Sequence, residues 1–236
     1  EFIMLEFYQA YTDYRGMMTL TEELVLAAAA AADCGETVTF RGDDYSLSAP
    51  FERIRYADAF KEHLGFDATD RDAVTAKLRE IKHDVPEGDG YAWWKAVNDL
   101  FEECVEHKLT GPVFVYDYPS AICPLAKPLA EDPTWAGRFE FFLGGMELAN
   151  AFSELNDPQL QLQKFEEQVA DADPESPNAI DSDYVRALAY GLPPTGGCGI
   201  GVDRLMMVLL GQDTIRDVLL FPQLRAEEGL QGSSED

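Results

Sequence analysis

The stretch GLPPTGGCGIGVDRLMMVLLG, residues 191–211, constrains the fold of this chain more than any other. It holds two prolines and six glycines around one Asp203–Arg204 pair. Glycine at 196, 197, 199 and 201 loses too much backbone entropy to sit inside a helix, so this part reads as turn and strand. The apolar run from Asp203 to about Leu210 then reads as a helix. No Gly-Lys-Ser/Thr follows the glycines, and Gly197, Gly199 and Gly201 lack the dinucleotide spacing, which argues against a Walker loop and a Rossmann fingerprint. What remains is backbone that a flat ligand can approach closely. Arg204 stands beside it, always charged and able to clamp a phosphate with two parallel bonds. The alternative is a structural salt bridge between Asp203 and Arg204.

Two other stretches carry chemistry. In EFIMLEFYQAY, residues 1–11, alternation places Ile3, Leu5 and Phe7 on one face and Phe2, Met4, Glu6 and Tyr8 on the other. That is a strand with a dry side and a working side. An aromatic ring there can stack on a planar base, and a carboxylate beside a phenol can fix an ammonium; core packing is the alternative. In FEFFLGGMELANAFSELND, residues 139–157, two antiparallel strands (138–145 and 146–155) meet at Gly144-Gly145. Asn150, Phe152 and Glu154 share a face, an unusual core set because a buried carboxylate needs a partner, such as a cationic ligand. Glu140 and Glu147 flank the turn as two hard oxygen ligands suited to Mg²⁺ bridged to phosphates. Glu147 has the opposite parity to Asn150, so their convergence requires a bulge or an irregular strand start. A solvated acidic sheet face is the alternative.

The remaining pattern predicts a helix from Tyr14 to Asp33 capped by Thr12 or Asp13, a turn and short strand over 34–44, and a strand from Tyr45 to Ile54. Helices fill 56–107, and PVFVYDYP, 112–119, is a core strand. A helix with Pro158 at its first position runs to Ala170; a solvated loop and a short helix, 183–190, follow. Helices mixed with largely antiparallel strands argue an α+β fold rather than a doubly wound sheet. At 236 residues and 46% hydrophobic content, the chain fits one domain, 1–236, with a helical insertion at about 56–107.

Lysine and arginine number 18 against 44 acids, a formal charge of −26, which disfavours whole-surface nucleic-acid binding but leaves room for a local cationic site. Cys34, Cys104, Cys123 and Cys198 show no zinc or disulfide spacing. His63, His83 and His107 sit among charged neighbours and read as surface residues. No run approaches the roughly 18 apolar residues of a membrane span, and no secretory leader is visible. A cytoplasmic protein without a membrane partner is expected. The opening residues run straight into strand without an initiator methionine, so the chain reads as a fragment.

Taken together, EFIMLEFYQAYTDY, DYPSAICPLAK, FEFFLGGMELANAFSELND, GLPPTGGCGIGVDRLMM and TIRDVLLFPQLR make the chain resemble a class II aminoacyl-tRNA synthetase of the lysine type, subclass IIb, over nearly its whole length. The resemblance implies that Arg204 binds the ATP γ-phosphate, that Phe2 stacks on adenine, and that Gly199 and Gly201 let backbone pack against the ligands. It makes Glu140 and Glu147 the ligands of Mg²⁺. Glu154 and Tyr8 grip the ε-ammonium of L-lysine, with Glu6 nearby and Asn150 and Phe152 shaping the amino-acid side. The implied reaction is ATP-dependent formation of lysyl-adenylate and transfer to the acceptor end of tRNA(Lys). The family's motif 1, which builds a homodimer, the front of motif 2 with its α-phosphate arginine, and the anticodon-binding barrel are expected before Glu1. The fragment alone is therefore expected to be inactive or severely impaired. Rival readings are the short paralogue that attaches β-lysine to elongation factor P, against which Gly199 and the TIRDVLLFPQLR stretch argue, and a non-catalytic module binding lysine or a partner.

Overall fold

The computed structural model describes residues 2–170 and 179–222. Glu1, most of the solvated loop expected near 171–183, and the end of TIRDVLLFPQLR lie outside the described residues.

Among the described residues, eight strands and seven α-helices follow one another: β1 (Met4–Ala10), α1 (Tyr14–Ala31), β2 (Thr37–Phe40), β3 (Asp43–Ser46), β4 (Glu52–Arg55), α2 (Tyr56–Leu64), α3 (Arg71–Glu80), α4 (Tyr91–Cys104), β5 (Val113–Pro119), β6 (Trp135–Leu143), β7 (Met146–Ser153), α5 (Pro158–Ala170), α6 (Ser182–Leu188), β8 (Thr195–Gly201) and α7 (Val202–Leu209). Six strands form a sheet in the order β1-β8-β7-β6-β5-β4, antiparallel except for the β4–β5 pair. Parallel neighbours need a long crossover. Helices α2 to α4 are that crossover, so the helical stretch joins two adjacent strands of the sheet.

Alternation gives the sheet two chemically different faces. One carries Phe139, Phe141, Ala149, Ala151, Cys198 and Ile200, packed with Met17, Met18 and Val208 from α1 and α7. Helix α1 buries Tyr14, Met17, Met18, Thr21, Val25 and Ala29, a stripe of helical period. Its N-terminus is capped by Asp13, whose Oδ1 accepts from the amides of Arg15 and Gly16 at 3.0 and 3.1 Å. On the opposite face, Val113, Val115, Ala136 and Phe142 pack against Tyr56, Phe60, Leu100 and Phe101 from α2 and α4. This second core covers β4 to β6 only. Over β7, β8 and β1 the same face forms an open cleft.

Two expectations change in three dimensions. Residues 45–54 do not form one strand. Pro50, without an N–H to donate, separates β3, which pairs with β2 in a small hairpin, from β4 of the main sheet. The dry side of β1 is largely uncovered, with Ile3 55% and Leu5 40% exposed, because β1 is an edge strand and only Phe7 reaches the core. The expectation of a mainly antiparallel sheet flanked by helices is met, with β4–β5 as its one parallel pair. Among the described residues no helix is long and apolar enough to cross a membrane.

Candidate functional site

The cleft has a volume of about 530 Å³ and is floored by glycine. The strand register aligns Tyr8 with Gly197 and Phe152, and Glu6 with Gly199 and Asn150. Gly197, Gly199 and Gly201 alternate with Cys198 and Ile200, which are buried on the other face, so every cleft-facing position of this part of β8 lacks a side chain. A Cβ on Gly197 would run into Glu154 Oε1 and come within 2.7 Å of the Tyr8 ring. On Gly199 it would meet only Met4 Sδ at 3.6 Å and the Asn150 carbonyl at 3.9 Å, filling cleft space rather than the protein interior. Period-two glycine in a strand thus hollows the sheet surface into a trough.

One end of the trough carries carboxylates and a phenol. Glu154 is 7% exposed, and its Oε1 is buried with no hydrogen-bond partner among the described residues. Burial pushes its carboxyl up to about 7. Tyr8 and Glu6 line the same cleft. The Tyr8 phenol is raised by burial and then by the charges of Glu6 and Glu154. Tyr184 of α6 is raised by burial, and by Glu154 and Tyr8, which places a second phenol within the field of the orphan carboxylate.

The other end is mixed in charge. Arg204, at the start of α7, donates through Nη1 to the Glu147 carbonyl at 2.8 Å and approaches Glu147 Oε2 at 3.5 Å. Its side chain remains 51% exposed and faces the cleft. It does not pair with Asp203, contrary to the simplest reading of the dipeptide. Asp203 is 4% exposed and accepts from the Ile3 amide at 2.5 Å, tying the start of the first strand to α7. Phe2, 69% exposed, lines this end. Glu147 reaches the cleft through an irregularity in the β6–β7 ladder: Phe141 pairs with Ala149 but Phe142 with Glu147, leaving Leu148 as the extra residue. Leu148 joins Ala149 in the core, and Glu147 comes onto the face of Asn150. The hairpin itself turns on Gly144 and Gly145, both at positive φ (65° and 68°).

Glu140 is placed differently. It stands opposite Asn150 in β6, but it does not line the cleft. Its Oε1 accepts from Arg138 Nη2 at 2.5 Å and its Oε2 from the Tyr118 hydroxyl at 2.8 Å. Burial and the nearby Glu140 charge raise Glu147, while Arg204 and Arg138 oppose the rise. Glu106, in the turn after α4, is pushed to about 7 by burial and by Glu140, Glu102 and Glu147, with Arg204 opposing. Among the described residues, no group of three or more acidic, His or Cys side chains forms a ready cage for a metal ion. Glu147, raised by burial and by the charge of Glu140, would together with Glu140 fit a Mg²⁺ that also takes phosphate oxygens, since each Glu140 oxygen keeps a free lone pair.

Sequence reasoning gathered Phe2, Glu6, Tyr8, Glu147, Asn150, Phe152, Glu154, Gly199, Gly201 and Arg204, all of which line the cleft. It missed Arg138, Tyr118, Asp203, Glu106 and Gly197 as parts of the site's surroundings. Arg138 had a visible signal: in RFEFF it has the same parity as Glu140, so a cation and a carboxylate share one face of β6.

Comparison with known proteins follows the same outline. Residues 1–225 match the family described as tRNA synthetases class II (D, K and N). A lysine–tRNA ligase of Moorella thermoacetica is 46% identical over 237 residues, covering 97% of this chain and 47% of that protein. Lysine–tRNA ligases of Xanthomonas oryzae pv. oryzae and Magnetococcus marinus are 44% and 46% identical, each covering 96% of this chain and 46% of their own length. The chain spans about half the length of the curated relatives it matches.

Proposed function

We propose, from the premise that this chain belongs to the class II tRNA synthetases of the D, K and N group, that it is the catalytic portion of a lysine–tRNA ligase. The observation that carries the lysine assignment is Glu154 Oε1, a buried oxygen at one end of the cleft without a partner among the described residues. Such an oxygen calls for a cationic hydrogen-bond donor, and an ε-ammonium extended along the trough supplies one. Tyr8 and Glu6 flank it, and Phe152 packs beside the aliphatic stem. A neutral side chain would leave Glu154 unpaired, a penalty of about 1–3 kcal/mol or more that selects lysine over its isosteres.

ATP lies toward Arg204 in this reading. Phe2 offers its ring to adenine, and the unsubstituted backbone at Gly199 and Gly201 lets the nucleotide descend onto β8. Arg204 holds the γ-phosphate. Glu140 and Glu147 would hold Mg²⁺, which would supply neutralisation of triphosphate charge. The lysine carboxylate oxygen then forms a bond to the α-phosphorus as the α–β bridging bond breaks, giving lysyl-adenylate and pyrophosphate. A terminal ribose hydroxyl of tRNA(Lys) next attacks the acyl carbon and AMP leaves. No side-chain nucleophile takes part; alignment and electrostatics do the work. The tRNA contacts, a homodimer and a cytoplasmic location belong to the same proposal for the complete protein.

The test is lysine-dependent exchange of pyrophosphate into ATP by the complete protein, with ornithine, arginine and norleucine as competitors. Lysine preferred over norleucine by about 10- to 100-fold or more is the expected result, set by one buried charge-assisted bond. Equal exchange with norleucine would remove the assignment.

A further inference from the structure

Arg138 lies in the middle of β6 and carries none of the binding roles assigned above. Its side chain is 18% exposed, and its guanidinium is engaged in three directions. Nε donates to Asn150 Oδ1 at 3.2 Å, Nη1 to Cys123 Sγ at 3.3 Å and Nη2 to Glu140 Oε1 at 2.5 Å. The guanidinium carbon stands 4.8 Å from the centroid of the Tyr118 ring. The Tyr118 hydroxyl closes the arrangement by donating to the second Glu140 oxygen at 2.8 Å. A planar fork stacked on a ring and fixed on three partners has little freedom to turn.

The consequence falls on Asn150. The two ends of a carboxamide are nearly equal in size, so packing alone does not decide which one faces the cleft. Arginine has no acceptor. Whatever atom meets Nε must be an oxygen, and the opposite orientation would set NH₂ against N–H and leave a donor unsatisfied. Asn150 Nδ2 therefore points away from Arg138. Asn150 lines the cleft between Glu147 and Glu154, and Nδ2 has no other partner among the described residues.

We infer that Arg138 is a positioning residue: by donating to Asn150 Oδ1 it presents Asn150 Nδ2 to the cleft as a fixed donor, so the middle of the trough selects a ligand group bearing an anionic oxygen. The inference deepens the proposed function and rests on it. Two sources supply such an oxygen there, the carboxylate of the amino acid and the α-phosphate of ATP. Lysine alone in this position would not do what arginine does, because its single ammonium is captured by Glu140 and leaves Asn150 free to flip.

The experiment is calorimetry of the complete protein with lysine and, separately, with ATP, for wild type, Arg138→Lys, Asn150→Asp and the double variant. Asn150→Asp keeps an oxygen toward Arg138 and places a second oxygen where the donor stood, so it tests the polarity without loosening the fork. One ligand should weaken about 10-fold in Arg138→Lys and about 100-fold in Asn150→Asp, the range of a hydrogen bond to a charged group lost and then reversed. Weakening of lysine identifies the carboxylate as the source, and weakening of ATP the phosphate. The double variant should match Asn150→Asp within about twofold, since Arg138 acts through Asn150. Equal weakening of both ligands with a lowered melting temperature, no weakening of either, or losses that multiply in the double variant would each overturn the inference. A wild-type protein that binds neither lysine nor ATP would instead remove the proposed function, and this inference with it.

Discussion

Lysine binding should release a proton, and the amount follows from Glu154. Burial raises its carboxyl to about 7 in the empty cleft. The phenols of Tyr8 and Tyr184 lie within its field, and both are themselves pushed up, so neither exchanges protons near neutrality. At pH 6 the carboxyl is about 0.9 protonated, and an incoming ammonium requires it ionised, so about 0.9 proton should leave per lysine bound. The ionised fraction rises about eightfold from pH 6 to pH 7.5, and affinity for lysine should rise with it. Stability of the unliganded fold moves the other way. A folded carboxyl raised above the ordinary glutamate value of 4.5 favours the protonated form. Its contribution is intact below pH 4.5 and lost by about pH 7, amounting to about 3 kcal/mol at most. Calorimetry at pH 6 in two buffers of different ionisation enthalpy reads the proton count directly. Buffer-independent enthalpies, or an affinity flat between pH 6 and 7.5, would refute the claim that an orphan buried carboxylate receives the ammonium. In Glu154→Gln no proton is available and the buffer dependence should vanish.

Two further substitutions probe how the cleft and its support are built. Gly197→Ala should lower lysine affinity about 100-fold and stability by about 1–3 kcal/mol, because its Cβ collides with Glu154 and the Tyr8 ring, whereas Gly199→Ala should leave the denaturation midpoint unchanged; the reverse order of stabilities would contradict the trough geometry. Tyr14→Phe removes the 2.7 Å donor to Asp117 Oδ1, a carboxylate 4% exposed whose other oxygen accepts from Arg55 Nε at 3.1 Å. Urea denaturation should show a loss of about 1–3 kcal/mol, and a loss under about 0.5 kcal/mol would mean that the orphaned oxygen finds another donor.

The local pattern determined a great deal. Period-two alternation marks the strands and assigns residues to faces, since a strand has only two. Capping residues and glycines mark α1, α5 and the β6–β7 turn because their signals act over a few residues. Even the bulge at Leu148 was implied by a conflict of parity: Glu147 and Asn150 reach the same cleft only if one residue is added between them. Tertiary structure decided what depends on partners far away in the chain. Whether the dry side of β1 is covered depends on its place in the sheet order, and it lies at the edge. The partner of Arg204 is Glu147, 57 residues away, rather than its neighbour Asp203. Glu140 reads like Glu147 in the sequence, yet Arg138 and Tyr118 occupy its two oxygens and draw it away from the cleft lining. Backbone preferences and alternation are properties of adjacent residues, so the sequence displays them directly. Which oxygen is satisfied, and which is left for a ligand, is settled only when distant strands bring their donors together.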